Sequence, residues 1–325
     1  METTTPALTV THHSVVTEDQ IDHLGHMNVR FYGVNAAAGT RALVASLGAP
    51  DDRTVRLVDI YTRHHREQML GARLVVRSGV VDVSAEELVL YHELAEQATG
   101  VLAATFMHRV RLDSPDGEAA ALPVALVTQA RAGLIEVPAH GATRSISLAT
   151  DPIAHAPALA ELRDRDLAIR KVRAVSTDEC DADGSYIPFM APALVWAGEP
   201  AGGRFPEMLH EGPNGERMGW ASMETRIVTR RLPRLGDRIQ SFSAVIGLAD
   251  KVMHNIMWAY DVDREALLTT FEVVNLAFDI GARRPMQIPD HIRAVQAAQL
   301  HLDLAPGGRT CVRPAKGQTT ALGRH

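Results

Sequence analysis

The sequence predicts an α+β fold of two tandem units, in each of which an antiparallel sheet wraps around one long central helix. The chain has 325 residues, which is long for one domain and comfortable for two. A shift of 165 places residues 71–113 on residues 236–279, a segment that is one residue longer, so the chain carries an internal repeat. Each segment contains alternating, β-branched-rich runs separated by short polar or glycine-containing turns. That pattern is typical of a strand meander.

The first unit begins with a predicted strand over 9–16, and a polar loop then leads to a helix from Asn28 to Leu47 that Gly48 closes. The sequence of this helix, FYGVNAAAGTRALVASL, is apolar and small nearly all round, which predicts burial on most sides. Four strands are predicted after the helix, at 55–67, 72–83, 86–96 and 101–112. One helix and a four-stranded meander bury their apolar faces against each other in two layers.

The second unit repeats this order, with a first strand over 170–176 and a helix from about Tyr186. The segment EPAGGRFPEMLHEGPNGE, residues 199–216, has no counterpart in the first unit and is an insertion. Four strands are again predicted, at 219–232, 237–249, 251–261 and 266–278. Because the two units are copies, they are expected to form a pseudo-dimer.

The domain boundaries follow from these elements. The first unit covers 1–113, and residues 114–169 are interpreted as a linker with short helices near 123–133 and 156–168. The second unit covers 170–304 and ends in a closing helix over 287–304. The tail over 305–325 is poor in large apolar residues and is expected to be disordered.

Composition and charge exclude several classes of function. The chain is 46% hydrophobic and 22% charged with a net charge of −6, so it lacks the basic balance of nucleic-acid or membrane-surface proteins. Its two cysteines, Cys180 and Cys311, have no CxxC spacing, which indicates a reducing compartment. No signal peptide or membrane-spanning run is recognisable. A cytoplasmic protein with no nucleic-acid or membrane partner is expected.

Two related polar loops precede the two predicted helices. The first, TEDQIDHLGHMNVRFY, covers 17–32, and the second, STDECDADGSYIPF, covers 176–189. A shift of 159 places Asp22 on Asp181, each three residues before a glycine. An aspartate just before a helix is most simply an N-cap, because its side chain accepts a free backbone amide. The same placement also suits catalysis.

Hydrolysis of a thioester needs a carboxylate and a stabiliser of the developing oxyanion. Asp22 supplies the carboxylate, either as nucleophile or as general base for water. The first amides of the helix, near Asn28 and Val29, have no intrahelical partner and can stabilise the oxyanion. His26 would orient the carboxylate or the water, and Asn28 either binds the substrate carbonyl or caps the helix.

The order of elements and the loops together resemble hotdog-fold acyl thioesterases. In the first copy Asp22, His26, Asn28 and Tyr32 form a D-x3-H-x-N-x3-Y arrangement that is similar to the catalytic segment of plant-type acyl-ACP thioesterases, themselves double hotdogs. Leu24 stands where that family has a catalytic Asn. The second copy, ECDADGSYIPF, resembles the D-C-D-x-x-G loop of 4-hydroxybenzoyl-CoA thioesterases. The resemblance implies cleavage of a thioester to acid and thiol.

Further candidate contacts are less specific. In TRHHRE, residues 62–67, one of His64 and His65 would face the pocket while its neighbour faces solvent, and Arg66 could meet a coenzyme A phosphate. A solvated strand end is the simpler explanation of these residues. In the same way, Arg230 and Arg231 either contact phosphate or line a solvated edge. Tyr32 is either a substrate contact or a core residue.

The first loop is the favoured working site. Ser185 and Ile187 stand where the first copy has His26 and Asn28. Pro188 replaces Val29 and lacks an amide hydrogen, which removes one candidate oxyanion donor. Asp181 remains a second candidate.

The resulting function is an acyl-CoA thioesterase, with coenzyme A as part of the substrate and no separate cofactor. Metal binding is not expected, because His-x2-His at 23–26 lacks a further pair at zinc spacing. The alternatives are a hotdog hydratase or dehydratase, an acyl-ACP substrate, and a non-catalytic acyl-CoA-binding or regulatory module. The protein is expected to be a monomeric pseudo-dimer or a homo-oligomer.

Overall fold

The computed structural model describes residues 7–22, 24–180, 187, 199–201, 209–212, 214–308 and 310. It divides into two compact units, Met1–Ala142 and Thr143–His325. The boundary between them falls inside the segment that the sequence analysis interprets as a linker.

The first unit contains one long helix and a five-stranded antiparallel sheet. Its strands lie in the order β1-β3-β4-β5-β2, with the short β6 beside β5. Each predicted element is present within about three residues of its expected bounds. The elements are β1 (Thr9–Val15), α1 (Val29–Ser46), β2 (Thr54–His64), β3 (Arg73–Val83), β4 (Glu87–Glu96), β5 (Leu102–Asp113), β6 (Ala119–Ala120) and α2 (Val124–Ala132).

Small residues let α1 lie close to the sheet. Ala36, Ala37, Gly39 and Thr40 are all buried, which explains the unusual apolar and small composition of this helix. A Cβ atom at Gly39 would lie 2.7 Å from Cγ1 of Val76 on β3, so a larger residue would push the helix outward. The sheet therefore wraps around α1 as predicted.

Strand β2 ends at His64, three residues before its predicted end. The amides of His65 and Arg66 both donate to the carbonyl oxygen of Ala103, at 2.9 and 3.1 Å, and the ladder stops there. The following residues lie beside the polar loop, since the Met27 amide donates to the Gln68 carbonyl oxygen at 2.8 Å. This turn brings residues 65–68 to the start of α1.

The second unit has the same strand order. Its sheet runs β10-β13-β12-β11, with β7 and β8 beside β11, β9 beside β10 and β14 beside β13. The predicted first strand over 170–176 is wrong, because two short strands replace it. The elements are α3 (Leu159–Arg163), β7 (Ala168–Ile169), β8 (Arg173–Ala174), β9 (Leu209–Glu211), β10 (Arg217–Thr229), β11 (Arg238–Leu248), β12 (Val252–Asp261), β13 (Ala266–Asp279), β14 (Arg284–Pro285) and α4 (Asp290–Ala297).

Two predicted segments differ at the C-terminal end. The closing helix predicted over 287–304 is shorter in the structure, where α4 ends at Ala297. Beyond this end, the His301 amide donates to the Val245 carbonyl oxygen at 2.8 Å, so the chain no longer follows the helix. Residues 306–308 form a 3-10 turn with Pro306 buried, so the predicted tail starts with an ordered turn. Most of the predicted second helix and much of the insertion lie outside the described residues. Among the described helices, none has both the length and the apolar character to cross a membrane.

The internal repeat extends to backbone geometry. Gly71 and Gly236, which a shift of 165 aligns, both have φ in the left-handed region, at +80° and +83°. Their amides donate to the carbonyl oxygens of Val16 and Val175, at 2.9 and 3.0 Å. The same turn therefore follows the same strand in each copy.

Candidate functional site

A short turn fixes the start of the first loop. Thr17 and Gln20 form a capping box around the 3-10 turn Glu18–Gln20, in which side chain and backbone satisfy each other. The Asn28 amide then donates to the Gln20 carbonyl oxygen at 2.9 Å, which closes the loop just before α1. The sequence between these two residues is held as a compact bulge.

Asp22 lies inside this bulge and is held by the backbone. Its amide donates to the carbonyl oxygen of His26 and its carbonyl oxygen accepts the amide of Gly25, both at 2.9 Å. Gly25 has φ of +84°, which favours glycine. One carboxylate oxygen of Asp22, Oδ1, accepts the Leu24 amide at 2.9 Å. The side chain is 15% exposed, so it is oriented by the loop and still reachable.

His26 lies between two carboxylates. Its Nδ1 is 3.6 Å from Oδ2 of Asp22, and its Nε2 is 3.5 Å from Oε1 of Glu67. Asp22 and His26 are predicted from the sequence, whereas Glu67 is not. The predicted strand runs to residue 67, whereas β2 ends at His64. Glu67 therefore lies in a loop, and its carboxylate turns toward His26. The two carboxylates therefore orient the ring.

Asn28 is the N-cap of α1. Its Oδ1 accepts the Arg30 amide at 3.1 Å, and its carbonyl oxygen accepts the Phe31 amide at 3.0 Å. Of the two interpretations of Asn28 from sequence, the cap is the one visible in the geometry. Val29 is the first residue of the helix, so its amide has no acceptor one turn earlier within the helix.

Tyr32 lies one turn into α1 and is buried. Its hydroxyl donates to the Arg66 carbonyl oxygen at 3.3 Å, and its ring meets the edge of His64 at 5.2 Å between centroids. Burial raises the pKa of Tyr32 to about 12, and the Asp22 carboxylate adds to this shift. Burial likewise lowers the pKa of His64 to about 4, with a smaller effect of His65. Both rings are therefore neutral near pH 7.

His64 and His65 face opposite sides of the sheet. His64 is on the side of α1, whereas Nε2 of His65 is 3.1 Å from Oγ1 of Thr105 on the other side. His65 is partly buried there. Burial and the Arg63 charge lower the pKa of His65. The side chain of Arg66 is exposed, beside the segment that holds Glu67.

The two arginines of the basic run belong to the second unit. Arg231 pairs with Asp261 at 2.5 Å and with Asp237 at 3.2 Å, so it fastens two turns of that unit. Arg230 is exposed, and its amide donates to the Leu268 carbonyl oxygen at 2.9 Å. A phosphate contact for either residue stays a prediction.

The second loop repeats the backbone of the first where it is described. Ser176 and Glu179 form a capping box, and the Ile187 amide donates to the Glu179 carbonyl oxygen at 3.1 Å. This bond is the counterpart of the one from Asn28 to Gln20. Asp181, Ser185 and Pro188 lie outside the described residues, so the role predicted for Asp181 stays a prediction. The catalytic roles of Asp22 and His26 also stay predictions.

A metal site has no support among the described residues, where no group of three or more His, Cys, Asp or Glu side chains is arranged to share an ion. His23, the neighbour of Asp22, is outside that part of the chain. The groups that meet at the start of α1 are thus a carboxylate pair, one imidazole, a helix N-terminus and a buried phenol. This set can accept a proton, orient water and stabilise an oxyanion.

Residues 15–129 match the model of a family described as the Thioesterase-like superfamily. The 12:0-ACP thioesterase from Umbellularia californica is similar in structure, with a TM-score of 0.60 and 9% identity over 82% of this chain and 93% of that chain. An acyl-ACP thioesterase from Bacteroides thetaiotaomicron has a TM-score of 0.56 and 10% identity over 81% of this chain and 96% of that chain. A search of curated protein sequences gives no significant match.

These likenesses confirm the predicted resemblance and fold. The family match covers the first unit from the end of β1 into α2, including the whole candidate site. The structural likeness extends over most of the chain, through both units. The protein has a tandem hotdog fold with an α+β architecture.

Proposed function

We propose that the chain hydrolyses an acyl-CoA thioester at the first loop, with Asp22 as the base. The observation that carries this proposal is the position of Asp22, whose carboxylate is held 3.6 Å from His26 in the turn before α1. The Val29 amide lies at the start of the same helix. The carboxylate and the oxyanion donor thus come from one short stretch of chain, which suits acyl transfer to water.

The reaction follows from these groups. A water molecule gives a proton to the Asp22 carboxylate while its oxygen attacks the thioester carbonyl carbon. The carbonyl oxygen becomes an oxyanion, which the Val29 amide and the positive end of α1 stabilise. The oxyanion then collapses, the carbon–sulfur bond breaks, and the thiolate leaves with the bonding electron pair. The acyl group leaves as the free acid.

His26 would supply the proton that the leaving thiolate takes up. Asp22 and Glu67 flank its ring on both sides, which orients Nδ1 and Nε2. After thiol release, the proton on Asp22 returns to His26 and restores both groups. Glu67 is therefore a positioning residue in this scheme, and Asp22 and His26 are the catalytic residues.

The test is thiol release from acyl-CoAs of increasing chain length. Asp22→Asn keeps the size of the side chain and removes the base, so kcat should fall by about 10²–10⁴-fold. Asp19→Asn is the matched control, because Asp19 is an exposed carboxylate in the adjoining turn. Turnover that survives Asp22→Asn at the wild-type rate would contradict the assignment of the base.

The carrier is tested with the same acyl group on acyl carrier protein. A higher kcat/KM for acyl-CoA than for acyl-ACP supports the proposal. The reverse preference would move the substrate to the alternative carrier and leave the chemistry at Asp22 unchanged. Absence of thiol release from both carriers would contradict thioester hydrolysis.

A hydratase or dehydratase is the second candidate, and one observation favours it. His26 with a carboxylate on each side is the kind of acid–base set that adds water to a double bond. Hydration of enoyl-CoAs, followed by loss of the conjugated absorbance, separates the two reactions. If neither reaction occurs while acyl-CoA raises the Tm, the chain is a binding module.

A further inference from the structure

One imidazole on the α1 side of the first sheet is accessible and has no hydrogen-bond partner. His64 ends β2, meets the edge of the Tyr32 ring and is partly exposed. Within the part of the chain that the structure describes, no hydrogen bond engages either ring nitrogen of His64, and neither nitrogen is one of the fully buried polar atoms without a partner. Both nitrogens are therefore open to water or to a bound molecule.

The free nitrogens of His64 offer one donor and one acceptor. The ring is neutral near pH 7, because burial of most of its surroundings lowers its pKa to about 4. His92, on the same side of the sheet, is also neutral, but its nitrogens are 2.6 Å from Oγ of Ser78 and 3.0 Å from Oγ1 of Thr40. The protein thus pairs both nitrogens of His92 and leaves those of His64 for another molecule.

His64 lies beside the start of α1, where the candidate chemistry is placed. Tyr32 is three residues beyond Val29, the first residue of the helix, and is therefore its neighbour one turn along. Helical side chains lean toward the N-terminus, so the Tyr32 ring covers the first turn and brings His64 to it. The Asp22 carboxylate acts on the same tyrosine, since it helps to raise the Tyr32 pKa. An acyl group bound at the helix start is therefore a neighbour of His64.

The accessible part of this sheet face ends at His64. Thr62 and Ile60, the next residues of β2 on this face, are only 7% and 5% exposed. Ala104 and Phe106, which pair with His64 and Thr62 on β5, are fully buried. An acyl group that enters from the loop has contact with His64 and meets a closed core beyond it, which favours a short group.

We propose that His64 is a specificity-determining residue that selects short acyl groups carrying a hydroxyl or carbonyl oxygen close to the thioester. This inference rests on the proposed function at Asp22. A plain alkyl group would displace water from the His64 nitrogens and leave them unpaired, whereas an oxygen on the acyl group restores a hydrogen bond. A site built to pair with a polar substrate group rejects the analogue that lacks it for this reason.

The test compares each enantiomer of 3-hydroxybutyryl-CoA with butyryl-CoA, from which both differ only by the hydroxyl. We expect the wild-type kcat/KM to be about tenfold higher for the preferred enantiomer, the effect of one hydrogen bond. His64→Phe removes both nitrogens and should bring the ratio close to one, whereas His64→Gln should retain part of it. His65→Phe is the matched control, because it makes the same change on the other side of the sheet, beside Thr105, and should keep the wild-type ratio.

Octanoyl-CoA tests the length of the acyl group. Because the face beyond His64 is closed, the wild-type kcat/KM should be lower for octanoyl-CoA than for either four-carbon substrate. A wild-type preference for octanoyl-CoA would overturn the inference.

The outcomes separate this inference from the proposed function. Equal ratios for the wild type and a folded His64→Phe variant, or a wild-type preference for butyryl-CoA over both enantiomers, would overturn the role of His64 while hydrolysis stands. If the wild type releases no thiol, the increase in Tm is measured with the same intact thioesters. A larger increase with a hydroxylated thioester that His64→Phe removes supports the His64 site without hydrolysis, and equal increases overturn it. His64→Met, which also lacks the nitrogens, replaces His64→Phe if that variant does not fold.

Discussion

The two loops that precede the two helices share a backbone and differ in the groups that hold it. Both begin with a capping box, and in both an amide eight residues beyond the end of that box returns to its last carbonyl oxygen. In the first loop that last residue is the neutral Gln20. In the second it is the buried Glu179, which pairs with Arg173 through two bonds at 2.6 and 2.7 Å. The two turns therefore use a neutral residue and a charged, ion-paired residue at the same position.

The corresponding sheet faces of the two units also differ in their buried side chains. His92 on β4 is paired with Phe106 on β5, and the shift of 165 replaces this pair by Met257 and Phe271. His108 is likewise replaced by Val273. The copies keep the strand register and the aromatic residue, whereas at these two positions only the first unit has imidazoles. The two copies thus share the strand pairing of the sheet, whereas their buried polar side chains differ from one position to the next.

The largest expected effect distinguishes the two aspartates. Asp22→Asn should reduce thiol release by at least about 10²-fold, because it removes the base, whereas Asp181→Asn should retain most of it. Steady-state rates on one acyl-CoA, with circular dichroism to check folding, measure both. Loss of activity with Asp181→Asn alone would reverse the choice of loop.

Acid should weaken the first unit more than the second. Burial holds the folded-state pKa of His108 near 3, below its unfolded value, so the stability it contributes is complete above about pH 6.5 and is lost as the pH falls toward 3. Between pH 7 and 5 this loss is about 2 kcal/mol from His108, and His92 adds a loss in the same direction. Amide hydrogen exchange in β4 and in β12 reports the two units separately.

A double variant that carries the second unit's residues at the two histidine positions provides the control. His92→Met with His108→Val should remove most of the extra acid sensitivity of β4, whatever it does to stability at pH 7. Equal acid sensitivity of β4 in the wild type and in this variant would show that other groups titrate.

The Arg173–Glu179 pair gives the next effect. Arg173→Ala would leave the Glu179 carboxylate buried without its main partner, and we expect a loss of about 2 kcal/mol, since the pair is only partly shielded from water. Urea unfolding measures it. Arg173→Ala with Glu179→Gln, which recreates the chemistry of Gln20, should recover much of the loss. A double variant no more stable than the single one would argue that the second turn depends on the charge itself.

The sequence predicts the repeat, the helix and the strands well, because alternation and small-residue patterns are local. It also identifies Asp22 and His26, which lie four residues apart in one loop. It misses Glu67, because its approach to His26 depends on β2 ending at His64, where two amides share one carbonyl oxygen.

A chain of buried hydrogen bonds in the first unit could not be predicted from the sequence. Thr40, Ser78, His92 and His108 come from one helix and three strands, and their spacing along the chain has no motif. Only the pairing register brings them together. Asn28 is predicted in part. The sequence places it at the start of the helix, and the structure shows that its side chain accepts a hydrogen bond from the Arg30 amide.

The smallest effect tests that cap. Asn28→Ala removes the acceptor of the Arg30 amide and should lower the free energy of unfolding by about 1 kcal/mol, whereas Asn28→Ser keeps an acceptor and should lose less. Urea unfolding of both variants measures the difference. Ile187, the counterpart in the second loop, has no polar side chain and cannot supply the same cap. If Asn28→Ser instead reduces kcat by about 10²-fold while stability changes little, Asn28 contacts the substrate as well as the helix, and the first loop contributes a third group to the reaction.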